Sequence, residues 1–345
     1  MAVALLLTGC IDKSDADPKA VDFARTGAIT TLVLTPQTPG HPHLKGFLET
    51  AYQAEGITSP ATETDNPREL SSQVDALVSA PPATLVVELG KLDQPQDSLR
   101  KLVKAGTSVL CLGQRPAGKN MCTAFVGWDD WAGGYLESVA LTEALGETQG
   151  RRWNVESIGL APGDKAGQAR LRGSIFQRLP HRATSPTITK TGRLSYTQLE
   201  VPGARPEGVT QQLVTTIQAT FLTQPMDGLV LPSDLYIDAA REAFEKTGRP
   251  LPLMVSAGAT PEGLQALADD QIVATQYQDP EILAHEVAVS LSALRAGRPL
   301  VTSPRRNWEN RLSGVPAVFV TPVNVTRANA ASTLANAPEL LELLQ

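Results

Sequence analysis

The chain has 345 residues, 42% of them hydrophobic and 19% charged, with a formal net charge of −6 at pH 7. That is the balance of a globular protein large enough for about two domains, and it excludes a nucleic-acid surface, which needs a basic patch. Nowhere does an apolar run reach the roughly 18 residues of a membrane span, and three cysteines are too few for a disulfide framework.

The first ten residues, MAVALLLTGC, form a short apolar run that ends in small residues and a cysteine, the order of a secretory signal before its cleavage site. The tetrad Leu7-Thr8-Gly9-Cys10 resembles a bacterial lipobox, which implies cleavage before Cys10 and lipidation of its thiol. The alternative is a frayed terminus with an ordinary buried cysteine. Residues 11–27, IDKSDADPKAVDFARTG, are polar and suit a flexible tether. From there the pattern alternates. TTLVLT (30–35) reads as a strand, and helical patterns follow at 43–56 and 67–80. TLVVEL (84–89) is a strand, 97–106 a helix, SVLCLG (108–113) a strand and TAFVGWDD (123–130) another, ending where a helix begins at Trp131. The second half repeats the rhythm: strands at 155–162, 227–233, 251–258 and 272–278 alternate with helices at 165–179, 208–224, 234–248, 260–270 and 280–297. Short apolar strands between helices predict parallel sheets covered on both faces, in two α/β lobes that part near Asp129.

Ligands of open α/β sheets bind beyond the carboxyl ends of the strands. The residues there are Thr35 through His41, Gly113-Gln114-Arg115, Trp128-Asp129-Asp130, Pro162-Gly163-Asp164, Ser233-Asp234, Ala257-Gly258 and Gln278-Asp279. The set is polar and holds no evident nucleophile. Asp129 or Asp130 is also a natural N-cap for the helix at Trp131, and Asp234 is one after Ser233. His41 is either a ligand contact or a solvated loop residue. Trp128 and Trp131 either stack on a ligand or plug a hinge. Cys111 and Cys122 are either a disulfide in an oxidising compartment or two buried thiols.

In order and spacing, FVGWDDWAGGYLESVALTEALG, KAGQARLRGSIFQRL, GLVLPSDLYIDAAREAFEKTG, IVATQYQDPEILAHEVAVSLSALRAGRPL and the closing VPAVFVTPVNVT resemble the type I periplasmic binding proteins. The likeness is greatest to the ribose-binding-protein-like group of sugar ABC importers, and it spans about residues 28–325. It implies two similar doubly wound parallel-sheet lobes joined by three hinge crossovers, near Asp129, near Gln278 and before Val315, with the ligand between them. The chain then divides into a signal peptide (1–10), a tether (11–27), an N-terminal lobe (28–129 and 279–305), a C-terminal lobe (130–278 and 306–330) and a tail (331–345).

The family's binding positions carry over one at a time. Gly40 and His41 replace an aromatic pair after the first strand, which leaves His41 alone to stack. Gly113-Gln114-Arg115 replaces Asp-Arg, so Arg115 supplies the arginine only with a one-residue shift, and the carboxylate is missing. Arg170 matches the cleft arginine, Ser233-Asp234 replaces Asn-Asp, Gly258 stands where an aspartate is usual, and Gln278 matches the cleft glutamine. Two carboxylates fewer beside Arg170, Arg115 and His41 predict a more cationic cleft, suited to a sugar acid through the guanidinium fork. A neutral sugar remains open, because Asp129, Asp130 and Asp234 supply acceptors.

The resemblance implies a monomeric, cofactor-free and metal-free binder at the outer face of the cell membrane, partnered by an ABC permease and its ATPase. A ligand sensor feeding a chemoreceptor or sensor kinase is the alternative within the fold. A lac-repressor-like regulator core shares it too, but residues 1–27 do not read as a helix-turn-helix. Catalysis has no support: G-x-S-x-G, H-E-x-x-H, P-loop and G-x-G-x-x-G motifs are all missing, and the four histidines do not stand at metal-ligand spacing.

Overall fold

The structure is a computed structural model, described here for residues 23–35, 41–90, 94–116, 118–146, 152–159, 165–176, 187–189, 192–200, 206–300 and 315–344. Cys10, residues 11–22, 36–40 and 162–164, and the charged stretch 305–310 lie outside the described residues.

The first lobe is built from β1 (Ile29–Leu34), α1 (Leu44–Ala54), β2 (Ala61–Thr64), α2 (Pro67–Leu77), β3 (Thr84–Leu89), α3 (Gln96–Lys104), β4 (Ser108–Gly113) and β5 (Ala124–Trp128). All its strand pairs are parallel. Alternation along each strand sorts the core onto two faces. Val33, Val86, Leu110, Leu112 and Val126 pack on one side, and Leu32, Val87, Val109, Cys111 and Phe125 on the other. Burial on both faces is why these strands read as continuous apolar runs. Cys111 and Cys122 form a disulfide in the second of these layers, with their Cα atoms 5.8 Å apart.

The chain then crosses into the second lobe. Its elements are α4 (Asp130–Leu145), β6 (Arg152–Gly159), α5 (Lys165–Phe176), β7 (Thr187–Thr189), β8 (Gly192–Glu200), α6 (Pro206–Thr220), β9 (Gly228–Val230), a 3₁₀ turn (Asp234–Tyr236), α7 (Ile237–Thr247), β10 (Leu253–Val255), α8 (Pro261–Ala268) and β11 (Thr275–Tyr277). Its sheet runs β10-β9-β6-β8-β7, parallel except for the β7–β8 hairpin at the edge. The chain returns along α9 (Pro280–Arg295), whose Leu283, Val287 and Leu291 pack into the first lobe, and continues as β12 (Ala317–Val320) beside β5. It crosses a third time into β13 (Val323–Val325), antiparallel to β11, and ends in α10 (Ala330–Thr333) and α11 (Pro338–Glu342).

Three boundaries differ from the sequence expectation. The third crossing lies at Thr321-Pro322, after β12 and not before Val315, because β12 pairs with β5 in the first sheet; residues 317–320 therefore belong with the N-terminal lobe. The expected tail is folded: Leu334, Ala337 and Leu340 are buried in the core of the second lobe. The expected tether ends early, since Phe23 is buried in the first lobe and the Ala24 N–H donates to Ser108 Oγ.

Polar caps mark where each crossing helix starts. The Asp129 carboxylate accepts the Ala132 N–H at 2.9 Å, and Asp279 accepts the Glu281 N–H at 2.9 Å ahead of Pro280. The crossings are tied together: the Asp129 N–H donates to the Val320 carbonyl at 2.7 Å, and Asn324 Nδ2 donates to the Leu136 carbonyl at 2.8 Å.

Candidate functional site

The three crossings bring the carboxyl ends of the first-lobe strands toward α4, α5 and the loops after β9 and β10. Most of the polar residues expected at a cleft lie here, and the chain itself already engages several of them.

Arg170 projects from α5, which packs very closely on α4. A Cβ at Gly134 would sit inside the Arg170 carbonyl, and one at Gly173 inside that of Trp131, so only glycine allows this approach. The contact sets the Arg170 guanidinium against Glu137, Nε to Oε2 at 2.9 Å and Nη2 to Oε1 at 2.5 Å, while Nη2 also donates to Gln276 Oε1 at 3.0 Å. Gln276 Nε2 in turn donates to the Gly133 carbonyl at 2.8 Å. Arg170 is therefore half of a bidentate pair within the second lobe. Burial pushes the Glu137 carboxyl up, and the charge of Arg170 opposes that shift. Gln278, the expected glutamine, lies partly buried at the crossing after β11, while Gln276, two residues earlier, makes the contact with Arg170.

Asp234 is similarly enclosed. Its Oδ1 accepts from Ser256 Oγ and from Thr275 Oγ1 at 2.8 Å, and its Oδ2 accepts the Thr260 N–H at 2.9 Å. Burial raises its pKa, and these donors oppose the shift. Gly258 adopts φ +132°, and a Cβ there would lie 3.1 Å from Asp234 Oδ2, so the Asp234 carboxylate fills the space beside this glycine. Ser233 caps the 3₁₀ turn by accepting the Leu235 N–H at 3.3 Å. Asp129 is fully buried as the cap of α4.

His41 spans the lobes. Its Nε2 lies 3.1 Å from the Ala259 carbonyl in the second lobe, and its ring centroid is 5.7 Å from that of Tyr277. Burial lowers its pKa, which favours the neutral ring. Arg115 lies 3.6 Å from Asp130 and 5.4 Å over the Phe319 ring, and the Gln114 N–H donates to the Leu89 carbonyl at 3.2 Å. Trp128 is buried in the first-lobe core, and Trp131 stacks on Tyr135 at 5.8 Å.

These contacts change the charge expected of the cleft. Arg170 lies in the field of Glu137, Asp130 and Asp234, and Arg115 is paired with Asp130. The first lobe adds two carboxylates at its rim. Glu88 accepts the Leu34 N–H at 2.8 Å, and Glu63 lies 3.1 Å from His43. Among the described residues, both arginines of the expected cationic set face carboxylates of the chain itself. Glu88, Glu63, Glu137 and Gln276 escaped the sequence analysis. The signal for Glu88 was an acid inside the apolar strand TLVVEL; for Glu137 it was one acid on the otherwise uncharged stretch 131–142. Among the described residues no group of acids, histidines or cysteines is arranged to hold a metal ion, and no helix is long and apolar enough to cross a membrane.

The chain is 20% identical over 271 residues to the multiple sugar-binding periplasmic receptor ChvE of Rhizobium radiobacter, covering 77% of this chain and 76% of that one. Its fold is similar to an ABC transporter solute-binding protein of Clostridium phytofermentans solved with β-D-glucose (TM-score 0.66, 15% identity, 92% of this chain and 100% of that one). It is also similar to AraP, an arabinose-binding protein of Geobacillus stearothermophilus (TM-score 0.64, 15% identity, 88% and 98%). The model of the periplasmic binding protein domain matches residues 43–299, well over half of the chain, and the protein belongs to that family.

Proposed function

We propose that this protein is the extracytoplasmic substrate-binding component of an ABC importer, capturing a sugar between its lobes and presenting the closed shape to a permease and its ATPase. The observation that carries this reading is the triple crossing, with Asp129 tied to Val320 and Asn324 tied to Leu136, beside opposed strand ends. Such a hinge lets both lobes contribute contacts that exist together only when closed, so ligand shifts the population toward closure. The similar proteins solved with glucose and described as binding arabinose make hexoses and pentoses the first ligands to try. The polar groups of the site are caps, ion pairs and hydrogen-bond acceptors, which suit recognition and not turnover. The Cys111–Cys122 disulfide suits an oxidising compartment, and the LTGC tetrad supports a lipid anchor at Cys10.

The test is a thermal-shift screen of D-glucose, D-galactose, L-arabinose and D-ribose, followed by solution scattering with the best ligand. At 100 times its Kd a ligand stabilises the folded state by about 2.7 kcal/mol, and closure shrinks the radius of gyration. Failure of every sugar to stabilise the protein, or chemical turnover of the one that binds, would sink the proposal.

A further inference from the structure

Arg115 meets elements of two crossings at once. Its root belongs to the first lobe. The Gln114 N–H donates to the Leu89 carbonyl at 3.2 Å, Gln94 Nε2 donates to the Arg115 carbonyl at 3.0 Å, and the Cys111–Cys122 disulfide closes the loop that carries both residues. From there the guanidinium lies 5.4 Å over the ring of Phe319, two residues before the third crossing at Thr321-Pro322, a cation–π contact. Its Nε lies 3.6 Å from Oδ2 of Asp130, the first residue of α4 and the first after the crossing at Asp129. Asp130 moves with the second lobe, because α4 is fixed there by the close approach of Gly134 to Arg170 and by Gln276 Nε2, which donates to the Gly133 carbonyl at 2.8 Å. The pivot itself, the Asp129 N–H on the Val320 carbonyl, is a backbone bond. The Arg115–Asp130 pair stands beside it, and only 13% and 17% of the two side chains are exposed, so salt and water screen it little.

We propose that Arg115 and Asp130 form a hinge strut, a cross-lobe ion pair that favours the closed arrangement and so sets ligand affinity without touching the ligand. The pair is made in an arrangement that also brings His41 of the first lobe to the Ala259 carbonyl of the second, so it belongs to the lobes in contact. Opening turns α4 about the Asp129 pivot while the first lobe holds the guanidinium in place, and the attraction is lost. Asp130 also lies in the field of Arg170. Its carboxylate therefore attracts one arginine from each lobe, and without it Arg115 and Arg170 repel each other across the crossing. Any gain confined to the closed state raises its population before ligand arrives, and apparent affinity rises with that population. This rests on the hinged sugar-binding reading above, and adds to it the residues that set the balance between open and closed.

Solution scattering of the unliganded protein, and titration calorimetry with D-glucose, D-galactose, L-arabinose and D-ribose, test this on the wild type, Arg115→Met, Arg115→Lys, Asp130→Asn and the double variant Arg115→Met/Asp130→Asn. Methionine keeps apolar packing against Phe319 without the charge, lysine keeps the charge, and asparagine keeps the shape of Asp130 at the start of α4. Without ligand, Arg115→Met and Asp130→Asn should each have a larger radius of gyration than the wild type, and Arg115→Lys should stay near it. The same two variants should bind the best sugar about 3- to 10-fold more weakly, between the scales of exposed and buried ion pairs. At saturating sugar all profiles should coincide, because the closed shape is unchanged. The double variant should be no worse than Asp130→Asn, since the first change already removes the pair. An unliganded radius of gyration equal to that of the wild type in both single variants overturns the strut, and an affinity loss on its own would then make the two residues ligand contacts. Additive losses in the double variant overturn it as well. Absence of binding to every sugar overturns the sugar reading, while the scattering comparison still decides the strut.

Discussion

Replacing Arg170 by alanine leaves Glu137 in the α4–α5 contact without its guanidinium. The Glu137 side chain is only 1% exposed and that of Arg170 15%, so the pair is shielded from water on the carboxylate side. Removing one partner of a buried pair costs about 3–5 kcal/mol. The partial exposure of Arg170 argues for the lower end, about 3 kcal/mol. Glu137→Gln is milder, about 1–2 kcal/mol on the scale of charged hydrogen bonds, because Arg170 keeps Gln276 Oε1 at 3.0 Å and reaches solvent. The double variant carries no buried charge and should cost about as much as Arg170→Ala alone, a coupling of roughly 1–2 kcal/mol. The pH dependence adds a sign. Burial holds the folded-state carboxyl of Glu137 above its unfolded value, and without Arg170 the shift grows. That contribution is fully present below the unfolded pKa and is lost as pH rises through the folded one. Arg170→Ala should therefore recover much of its deficit between pH 8 and pH 5, and the double variant should not. Urea unfolding followed by tryptophan fluorescence at the two pH values gives all the terms. A loss below about 1 kcal/mol at pH 8, or strict additivity, would refute the enclosed pair.

Removing the Cys111–Cys122 bridge, which spans a sequence separation of 11, by Cys122→Ser should cost about 3 kcal/mol by loop entropy; thiol titration of the unfolded, unreduced wild type should find no free thiol from this pair. Burial lowers the pKa of His41 against the opposing pull of the Ala259 carbonyl, so enclosure of the ring between the lobes is favoured above the ordinary histidine pKa and is lost as pH falls below it, when the charged ring gains by hydration. The unliganded wild type should expand by solution scattering between pH 8 and pH 5.5, and His41→Ala should be expanded at both; an unchanged wild-type profile refutes the clasp. On the proposed lipid anchor, whose acyl chains would contribute about 0.8 kcal/mol per buried CH₂, Cys10→Ser should move the protein from the membrane to the soluble fraction; unchanged fractionation refutes lipidation.

The elements most legible in the sequence were those that bury both faces of a sheet. β1, β3, β4 and β5 read as apolar runs because each sends alternate side chains into two separate cores. β2 was missed because ATET carries no apolar run; it is an edge strand held by its register with β1. α10 and α11 were missed for a different reason. They are short, and Ala330, Leu334, Ala337 and Leu340 seal the second-lobe core with Leu341, Leu343 and Leu344 packed against it, a role set by tertiary contact and not by periodicity. The third crossing was misplaced because the sheet that receives β12 is decided by pairing with β5, which local sequence does not encode.

The site was legible as a set of positions and much less as a set of charges. Strand ends and helix starts can be located from pattern, which made His41, Arg115, Asp130 and Asp234 candidates, while Arg170 became one only through the family resemblance. Whether a charge faces a ligand or another side chain depends on the depth of contact between elements. The Arg170 charge is turned inward by Gly134 and Gly173, which let α5 approach α4 closely enough for Glu137 to meet the guanidinium with both oxygens. A larger residue at either position would separate the helices and release that guanidinium toward the cleft. The pairing of Arg170 with Glu137 therefore depends on two glycines that belong to neither residue of the pair.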